Sequence, residues 1–350
     1  MNKSQILVTF DSMKDINCGY FSFGKGLGNA LIQHNEDKNN LTYYIFKNNP
    51  YFFEDRVPFL YFSRFHKLFF PAKQKFDIVH LTDQTCRLRP NSVNAKRILT
   101  IHDLNKIHLS FSRRSSIELY LAKLKSFIAS CDKIVAISNF VANDIQRMFP
   151  EAEEKLSVIY NGVEKLVSPY NHIPNFQPNN NFIFTIGLLS IQKGFHYLPA
   201  LLRNNNLDLV ISGIETSHKQ IILNEAIKYN VADRVHITGS ISESDKAWYY
   251  KNCSAFVFPS RAEGFGLPVI EAMQFGKPVF LSKFTSLPEI GGDFAYYFDS
   301  FDDNHMEEVF NNGLKDFALR NRSEEVRKHA SNFTWNEAGQ SYLKLYESLL

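Results

Sequence analysis

The sequence lacks several features that would settle its class at once. It has no long apolar run: none reaches the ~18 residues that a membrane-spanning helix needs. Its four cysteines, Cys18, Cys86, Cys131 and Cys253, lie far apart and form no CxxC pair. They read as reduced, mostly buried thiols of a cytoplasmic protein, which excludes a disulfide framework and leaves little for a zinc site. Charge is nearly balanced at +3 over 350 residues, which argues against a dedicated nucleic-acid binder. No signal-peptide pattern opens the chain, because the apolar stretch Ile6–Phe10 is only strand length and Asp11 ends it. Tandem repeats and low-complexity tracts are missing too.

What remains is an apolar fraction of 44%, enough for full cores, in a chain long enough for two ordinary domains. Charge is uneven: residues 1–165 hold 23 Lys and Arg against 16 Asp and Glu, the remainder 16 against 20. The basic first half either suits a phosphate-bearing acceptor or an anionic lipid surface, or is chance asymmetry. Strand and helix patterns alternate, which predicts an α/β protein with parallel sheets. Strands are expected near 5–10, 41–46, 77–81, 97–101, 133–137 and 156–160, with helices at 27–34, 115–129 and 140–149. Residues 164–181, with Pro169, Pro174, Pro178 and many asparagines, have no periodicity. The rhythm then restarts. Strands are expected near 182–186, 207–212, 234–237, 255–258, 278–281 and 295–298, with helices between and after them and a last helix over 335–350. The domains are therefore set at 1–165 and 182–331, with a linker at 166–181 and a C-terminal helix at 332–350.

The richest segment runs from Pro259 to Pro278. It places Glu263 and Glu271 eight positions apart, with Gly264, Gly266 and Pro268 between them. The apolar run Ala255–Phe258 precedes it and a helical pattern follows. This predicts a strand, a tight glycine turn and a helix that starts near Leu267, with Pro268 where a missing N–H does no harm. The first N–H groups of such a helix form an anion site, and glycines let a ligand approach the backbone closely. Ionised carboxylates accept hydrogen bonds without donating, so the two glutamates suit a ligand rich in hydroxyls. A phosphate cradle beside hydroxyl-reading carboxylates points to a nucleotide-diphosphosugar.

This segment resembles the E-x7-E signature of the retaining glycosyltransferases of family 4, in its spacing and in the surrounding Pro-Ser…Glu-Gly-Phe-Gly-Leu-Pro…Glu-Ala. The resemblance implies a GT-B fold, two Rossmann-like domains with parallel sheets facing a central cleft. It implies that the second domain binds the nucleotide-sugar and the first the acceptor. Glu271 would bind the ribose hydroxyls and Glu263 a sugar hydroxyl, with the backbone of Gly264, Phe265, Gly266 and Leu267 at the sugar and phosphates. The run from Gly187 to Gly194 resembles the family's Gly-Arg-Leu…Lys-Gly element, which would set Lys193 against the diphosphate. The family's arginine is replaced by Leu188, so Arg261 and Lys25 are candidates for the second positive charge. Thr238 to Ile241 follows a strand, and Gly239, Ser240 and Ile241 would lie beside the nucleobase. No Asp-x-Asp pair occurs, which agrees with a mechanism that needs no metal and no cofactor.

In the first half, the run from Gly19 to Gly28 reads as a glycine-rich loop. It nearly matches a P-loop, but Gly26 stands where a Mg²⁺-binding Ser or Thr belongs. The resemblance makes Gly24, Lys25 and Gly26 a loop facing diphosphate and acceptor. His102, in Thr100-Ile-His-Asp-Leu104, sits just past a strand and resembles the family's cleft histidine near the sugar. Asp103 either orients that imidazole or caps the next turn. Ser138 is read as a helix N-cap. From Tyr51 to Phe76, aromatic residues (Tyr51, Phe52, Phe53, Phe59, Tyr61, Phe62, Phe65, Phe69, Phe70, Phe76) interleave with Arg56, Arg64, Lys67, Lys73 and Lys75. They form either a membrane-interface surface or core.

Together these features imply a retaining hexosyltransferase, with mannose from GDP-mannose as leading donor and a glycan or lipid-linked acceptor of bacterial surface polysaccharide. Its place would be cytoplasmic, or peripheral on the inner membrane face. A nucleotide-sugar epimerase and a degenerate binding subunit are the rival readings.

Overall fold

A computed structural model describes residues 3–14, 16, 18–47, 50–54, 56–67, 70, 75–109 and 113–350, with the backbone alone at Pro50, Tyr51 and Lys67. Phe69 and Lys73 of the aromatic segment lie outside the described residues. The chain divides into two compact units, residues 1–162 with 333–350, and residues 163–332.

The first unit runs β1 (Ser4–Thr9), α1 (Gly19–His34), β2 (Asn39–Ile45), β3 (Phe59–Tyr61), β4 (Ile78–Leu81), β5 (Lys96–Ile101), α2 (Asn105–His108), α3 (Arg114–Ala129), β6 (Lys133–Ala136), α4 (Asn139–Met148) and β7 (Leu156–Val158). Its strands form a parallel sheet in the order β3-β2-β1-β4-β5-β6-β7. The central strands read as continuous apolar runs because both sheet faces are covered; Ile6, Leu7 and Val8 are fully buried.

The second unit runs β8 (Phe182–Ile186), β9 (Asp208–Ser212), α5 (His218–Lys228), β10 (Val235–Gly239), α6 (Glu243–Asn252), β11 (Ala255–Phe258), α7 (Leu267–Gln274), β12 (Val279–Ser282), α8 (Leu287–Gly291), β13 (Tyr296–Phe298), α9 (Asp303–Arg320) and α10 (Ser323–Ala330). Its sheet is parallel, in the doubly wound order β10-β9-β8-β11-β12-β13. Residues 166–181 have no regular structure and are tied to this unit. His172 Nε2 lies 2.7 Å from Asp245 Oδ1, and the Tyr249 hydroxyl donates to the Phe176 carbonyl at 2.5 Å.

The last helix, α11 (Trp335–Glu347), belongs to the first unit. Thr334 caps it by accepting the Glu337 N–H. Gly339 lets it approach α1, where a Cβ would stand 2.7 Å from that of Ala30. A buried chain of polar groups anchors it: the Tyr346 hydroxyl at 2.7 Å from His80 Nδ1, His80 Nε2 at 2.8 Å from Thr100 Oγ1, and that hydroxyl at 3.0 Å from Tyr342. Burial pushes the His80 imidazole down to about 3, so it is neutral within this network.

One expectation is corrected here. Gly24, Lys25 and Gly26 do not form a loop: helix α1 begins at Gly19 and includes all three. The glycines serve packing. A Cβ on Gly24 would sit 2.5 Å from the Met13 side chain, on Gly26 2.1 Å from the Trp335 indole, and on Gly28 2.4 Å from Phe53. Tertiary contact here outweighs glycine's poor helix propensity.

Candidate active site in two half-sites

In the second unit the strand order reverses between β8 and β11, and ligands of such sheets bind at the carboxyl ends of the strands at that point. The two loops that leave those ends are Gly187–Gly194 and Pro259–Gly266. They are stitched together. The Arg261 N–H donates to the Gln192 carbonyl at 2.7 Å, and the Gln192 amide donates to the Ala262 carbonyl at 2.6 Å. Two glycines are required. Gly194 has φ +69°, and a Cβ there would meet the Pro259 carbonyl oxygen at 2.3 Å. Gly187 has φ +154°, a backbone conformation that L side chains rarely adopt, and sends its N–H to the Ser212 carbonyl.

This stitching brings Lys193 to Glu263. The ammonium lies 2.5 Å from Oε1, both side chains are mostly buried, and Nζ sits 5.0 Å from the centre of the Phe258 ring. The loop after β12 fixes the Glu263 backbone: its N–H donates to Thr285 Oγ1 at 2.9 Å, and the Ser286 hydroxyl donates to its carbonyl at 3.0 Å. Gly264 and the buried Phe265 continue to Gly266, whose φ of +103° turns the chain into α7. Helix α7 then starts at Leu267 with Pro268 in its first turn.

Glu271 lies one turn further into α7. Its carboxylate is 3.0 Å from Lys246 Nζ and accepts the Tyr250 hydroxyl at 2.9 Å. Burial opposes the charge on Lys246, but Glu271 and Glu243 outweigh it and hold the ammonium above its ordinary range.

Arg261 points elsewhere. Its guanidinium lies 5.4 Å and 5.2 Å from the ring centres of Tyr197 and Phe301, which stack on each other, and it donates to the Tyr197 hydroxyl. Its buried Nε makes no hydrogen bond. Leu188 is 45% exposed and leaves an arginine's position apolar. Gly239 ends β10 at φ +73°, while Ser240 and Ile241 line a pocket of about 430 Å³ with Phe176, His236, Thr238 and Tyr249.

In the first unit the order reverses between β1 and β4. His102, at the end of β5, is buried. Its Nε2 donates to the Thr82 carbonyl at 2.8 Å, and the rings of Tyr20 and Phe23 lie edge-on at 4.9 and 4.5 Å. Burial lowers its pKa, so the imidazole is neutral. Asp103 Oδ1 accepts the Asn105 N–H at 3.0 Å, at the start of α2. Ser138 caps α4 by accepting the Val141 N–H. Lys25 stands on α1, between Gly24 and Gly26. Among the described residues no group of three or more His, Cys, Asp and Glu could hold a metal ion.

Two family descriptions match the chain: "Glycosyl transferases group 1" over residues 170–330 and "Glycosyltransferase Family 4" over residues 30–165. The two matches together span most of the chain, which is a glycosyltransferase. An uncharacterized glycosyltransferase of Methanocaldococcus jannaschii is 27% identical over 75% of this chain and 71% of the relative. The serotype-specific mannosyltransferase WbdA of Escherichia coli is also 27% identical, over 77% of this chain but 36% of its own length. The O-antigen chain mannosyltransferase RfbU of Salmonella typhimurium is 24% identical over 61% and 60%. Among solved structures, sucrose-phosphate synthase from Thermosynechococcus elongatus superposes with a TM-score of 0.79 at 19% identity over 99% of each chain. Anabaena HepE in complex with UDP-glucose gives 0.73 at 17% over 98% and 99%. The fold is GT-B.

Sequence reasoning about the transferase missed two carboxylates. Asp11 follows β1 and Asp83 follows β4, both almost fully buried. Asp11 Oδ2 accepts the Arg87 N–H at 2.7 Å and Asp83 Oδ1 accepts the Thr85 hydroxyl at 2.5 Å. Asp11 Oδ1 and Asp83 Oδ2 are buried and accept no hydrogen bond from the protein. Burial raises the Asp11 pKa to about 6, opposed by the Arg87 N–H and reinforced by the Asp83 charge. The available signal was an acidic residue at the second position after each strand that flanks the switch point.

Proposed function

We propose that the transferase moves a hexose, mannose from GDP-mannose, to a glycan or lipid-linked acceptor in bacterial surface-polysaccharide synthesis, lipopolysaccharide O-antigen or capsule. The observation that carries this reading is the Lys193–Glu263 pair at the switch point of the second unit. Lys193 stabilises the negative charge that grows on the leaving diphosphate, together with the first amides of α7. Glu263 accepts a sugar hydroxyl, and Glu271 the ribose hydroxyls. Gly239, Ser240 and Ile241 lie beside the base. The first unit binds the acceptor, with His102 near the sugar. Its neutral imidazole packs and orients rather than carrying charge. The acceptor oxygen attacks from the face the diphosphate leaves, so an α-donor gives an α-linkage. The helix start and Lys193 take the part a metal plays elsewhere. The relatives named as mannosyltransferases support mannose, whereas HepE was solved with UDP-glucose. Exposed Leu188 favours one rival, a binding subunit that no longer turns over.

The test is a panel of GDP-, UDP- and ADP-sugars, with and without EDTA. Nucleotide release is followed, and product configuration is read by NMR. Release from GDP-mannose in chelator, with an α-product, supports the reading. A β-product, or activity lost in EDTA and restored by Mn²⁺, overturns the corresponding part.

Peripheral membrane binding is a narrower proposal. Among the described side chains of this segment, Phe53, Phe70 and Phe76 are core and Phe52, Phe59 and Phe62 half-buried, while Tyr61 and Phe65 are exposed beside Arg64. No helix among the described residues is long and apolar enough to cross a membrane. Co-sedimentation with anionic liposomes at low salt, lost at high salt and with Arg64→Glu, is the expected result. No binding at low salt removes the proposal.

A further inference from the structure

The connection from β4 to β5 and the second half of α3 enclose a pocket of about 550 Å³ in the first unit. Arg87, Arg89 and Lys123 bring three cations to it, and Thr85, Asn91, Ser126 and Ser130 bring neutral polar groups. Among the described residues no acidic side chain lines it. Its apolar part is Cys86, Pro90 and Phe127.

The cations differ in what holds them. Arg87 is fixed: Nη1 donates to the Asp11 carbonyl at 2.6 Å, and its guanidinium lies 5.1 and 5.2 Å from the centres of the Phe46 and Phe62 rings. Arg89 and Lys123 are exposed and form no ion pair with any described carboxylate. Lys123 Nζ sits 5.0 Å from the Phe127 ring centre, which holds the ammonium over the apolar part of the pocket. Unpaired cations around a concavity with hydroxyl and amide donors suit an anion with several acceptor oxygens. A phosphate has that character, and the apolar floor suits carbon attached to it.

The location links the pocket to the candidate chemistry. Thr85, in its wall, hydrogen-bonds Asp83, and Arg87 hydrogen-bonds Asp11, the two carboxylates at the switch point of this unit. One end of the pocket, at Thr85 and Arg87, therefore adjoins the carboxyl ends of β1 and β4, while Ser126, Phe127 and Ser130 at the end of α3 line the other end. It also lies in the half of the chain with excess positive charge.

We propose that this pocket binds the phosphate or diphosphate group of the acceptor, with Arg89 and Lys123 as its specificity-determining residues. This deepens the transferase reading and rests on it for the word acceptor. The binding of a phosphate-bearing ligand by the first unit stands apart from it. The shared chemistry is a phosphate group, and its two sources are an isoprenoid-linked diphosphate and a phosphorylated sugar.

The test uses the full chain. Farnesyl diphosphate, mannose 1-phosphate and inorganic pyrophosphate are titrated by calorimetry into wild type and into the double variant Arg89→Glu/Lys123→Glu. The best-binding nucleotide is present at saturation, to occupy the donor half-site. At least one probe is expected to bind wild type and to bind the variant at least tenfold more weakly, and wild-type binding should weaken as salt rises. Farnesyl diphosphate tighter than pyrophosphate identifies a lipid-linked acceptor, and mannose 1-phosphate tighter than both a sugar phosphate. The milder Arg89→Gln/Lys123→Gln pair repeats the measurement if circular dichroism shows the reversal to be misfolded. No probe binding to wild type, undiminished binding to the folded variant, or binding only to phosphatidylglycerol vesicles overturns the proposal. Failure of every nucleotide to bind would instead sink the donor reading, with the phosphate titrations still decisive for this pocket.

Discussion

Lys193 and Glu263 stand 70 residues apart in the chain, yet their charged groups meet at 2.5 Å above the ends of two adjacent strands. The pair is mostly shielded from water, so its field is less screened than that of a surface ion pair.

That pair carries the first prediction. Lys193→Ala removes the positive charge nearest the expected diphosphate, and Leu188 offers no substitute. Turnover is expected to fall by about 10²–10³, the usual cost of one lost donor at a developing anion. Substrate affinity should change much less. Leu188→Arg in the same background should restore part of the loss. A nearly silent Lys193→Ala in steady-state kinetics would move the role to another cation.

Glu271 makes a separable prediction, because it serves Lys246 and Tyr250 as well as the proposed ribose. Glu271→Gln keeps an acceptor for the Tyr250 hydroxyl and should weaken nucleotide binding by about tenfold in calorimetry, the scale of one lost charge-assisted hydrogen bond. Glu271→Ala also strands a buried hydroxyl, so it should cost a further ~1–3 kcal/mol in urea unfolding. Unchanged nucleotide affinity in the glutamine variant would remove the ribose assignment.

Gly26→Ala tests packing against ligand contact on α1. The new methyl group would collide with the Trp335 indole. Overpacking of this kind costs ~1–3 kcal/mol. The expected result is a lower urea midpoint by Trp335 fluorescence in a Trp248→Phe background, with nucleotide affinity unaltered. A stability equal to wild type would contradict the packing.

Asp11 predicts a pH dependence. Its folded pKa of about 6 lies above the ordinary carboxylate value, so folding favours the protonated form. The favourable contribution is complete below the unfolded pKa near 4, and is lost as pH rises through the window from about 4 to 6. Across that window the loss amounts to roughly 3 kcal/mol. Asp11→Asn should therefore be more stable than wild type at pH 7.5, with the gain shrinking toward pH 4. A gain independent of pH would show that Asp11 does not titrate across this window.

Much of the transferase was legible in its sequence, for a local reason. Continuous apolar runs mark strands buried on both faces, and glycines and prolines mark the turns between them. The run from Pro259 to Pro278 therefore already held its strand end, its turn, its helix start and both glutamates. What the sequence by itself determined was the α/β alternation, the restart after residue 181 and the spacing of the donor motif, all of which depend on neighbours a few positions away. Three features were decided only by tertiary structure. The glycines from Gly19 to Gly28 look like a loop until Trp335 and Phe53 pack against them, and then the helix needs their missing side chains. Glu271 reads as a free carboxylate until α6 brings Lys246 and Tyr250 to it. Asp11 and Asp83 are unremarkable acids in the chain. Only the order of β1 and β4 in the sheet sets them at one switch point, where each keeps one buried oxygen that accepts no hydrogen bond from the protein. Partners separated by tens or hundreds of residues leave no trace in local spacing, because the contact that defines them forms only when the sheet assembles.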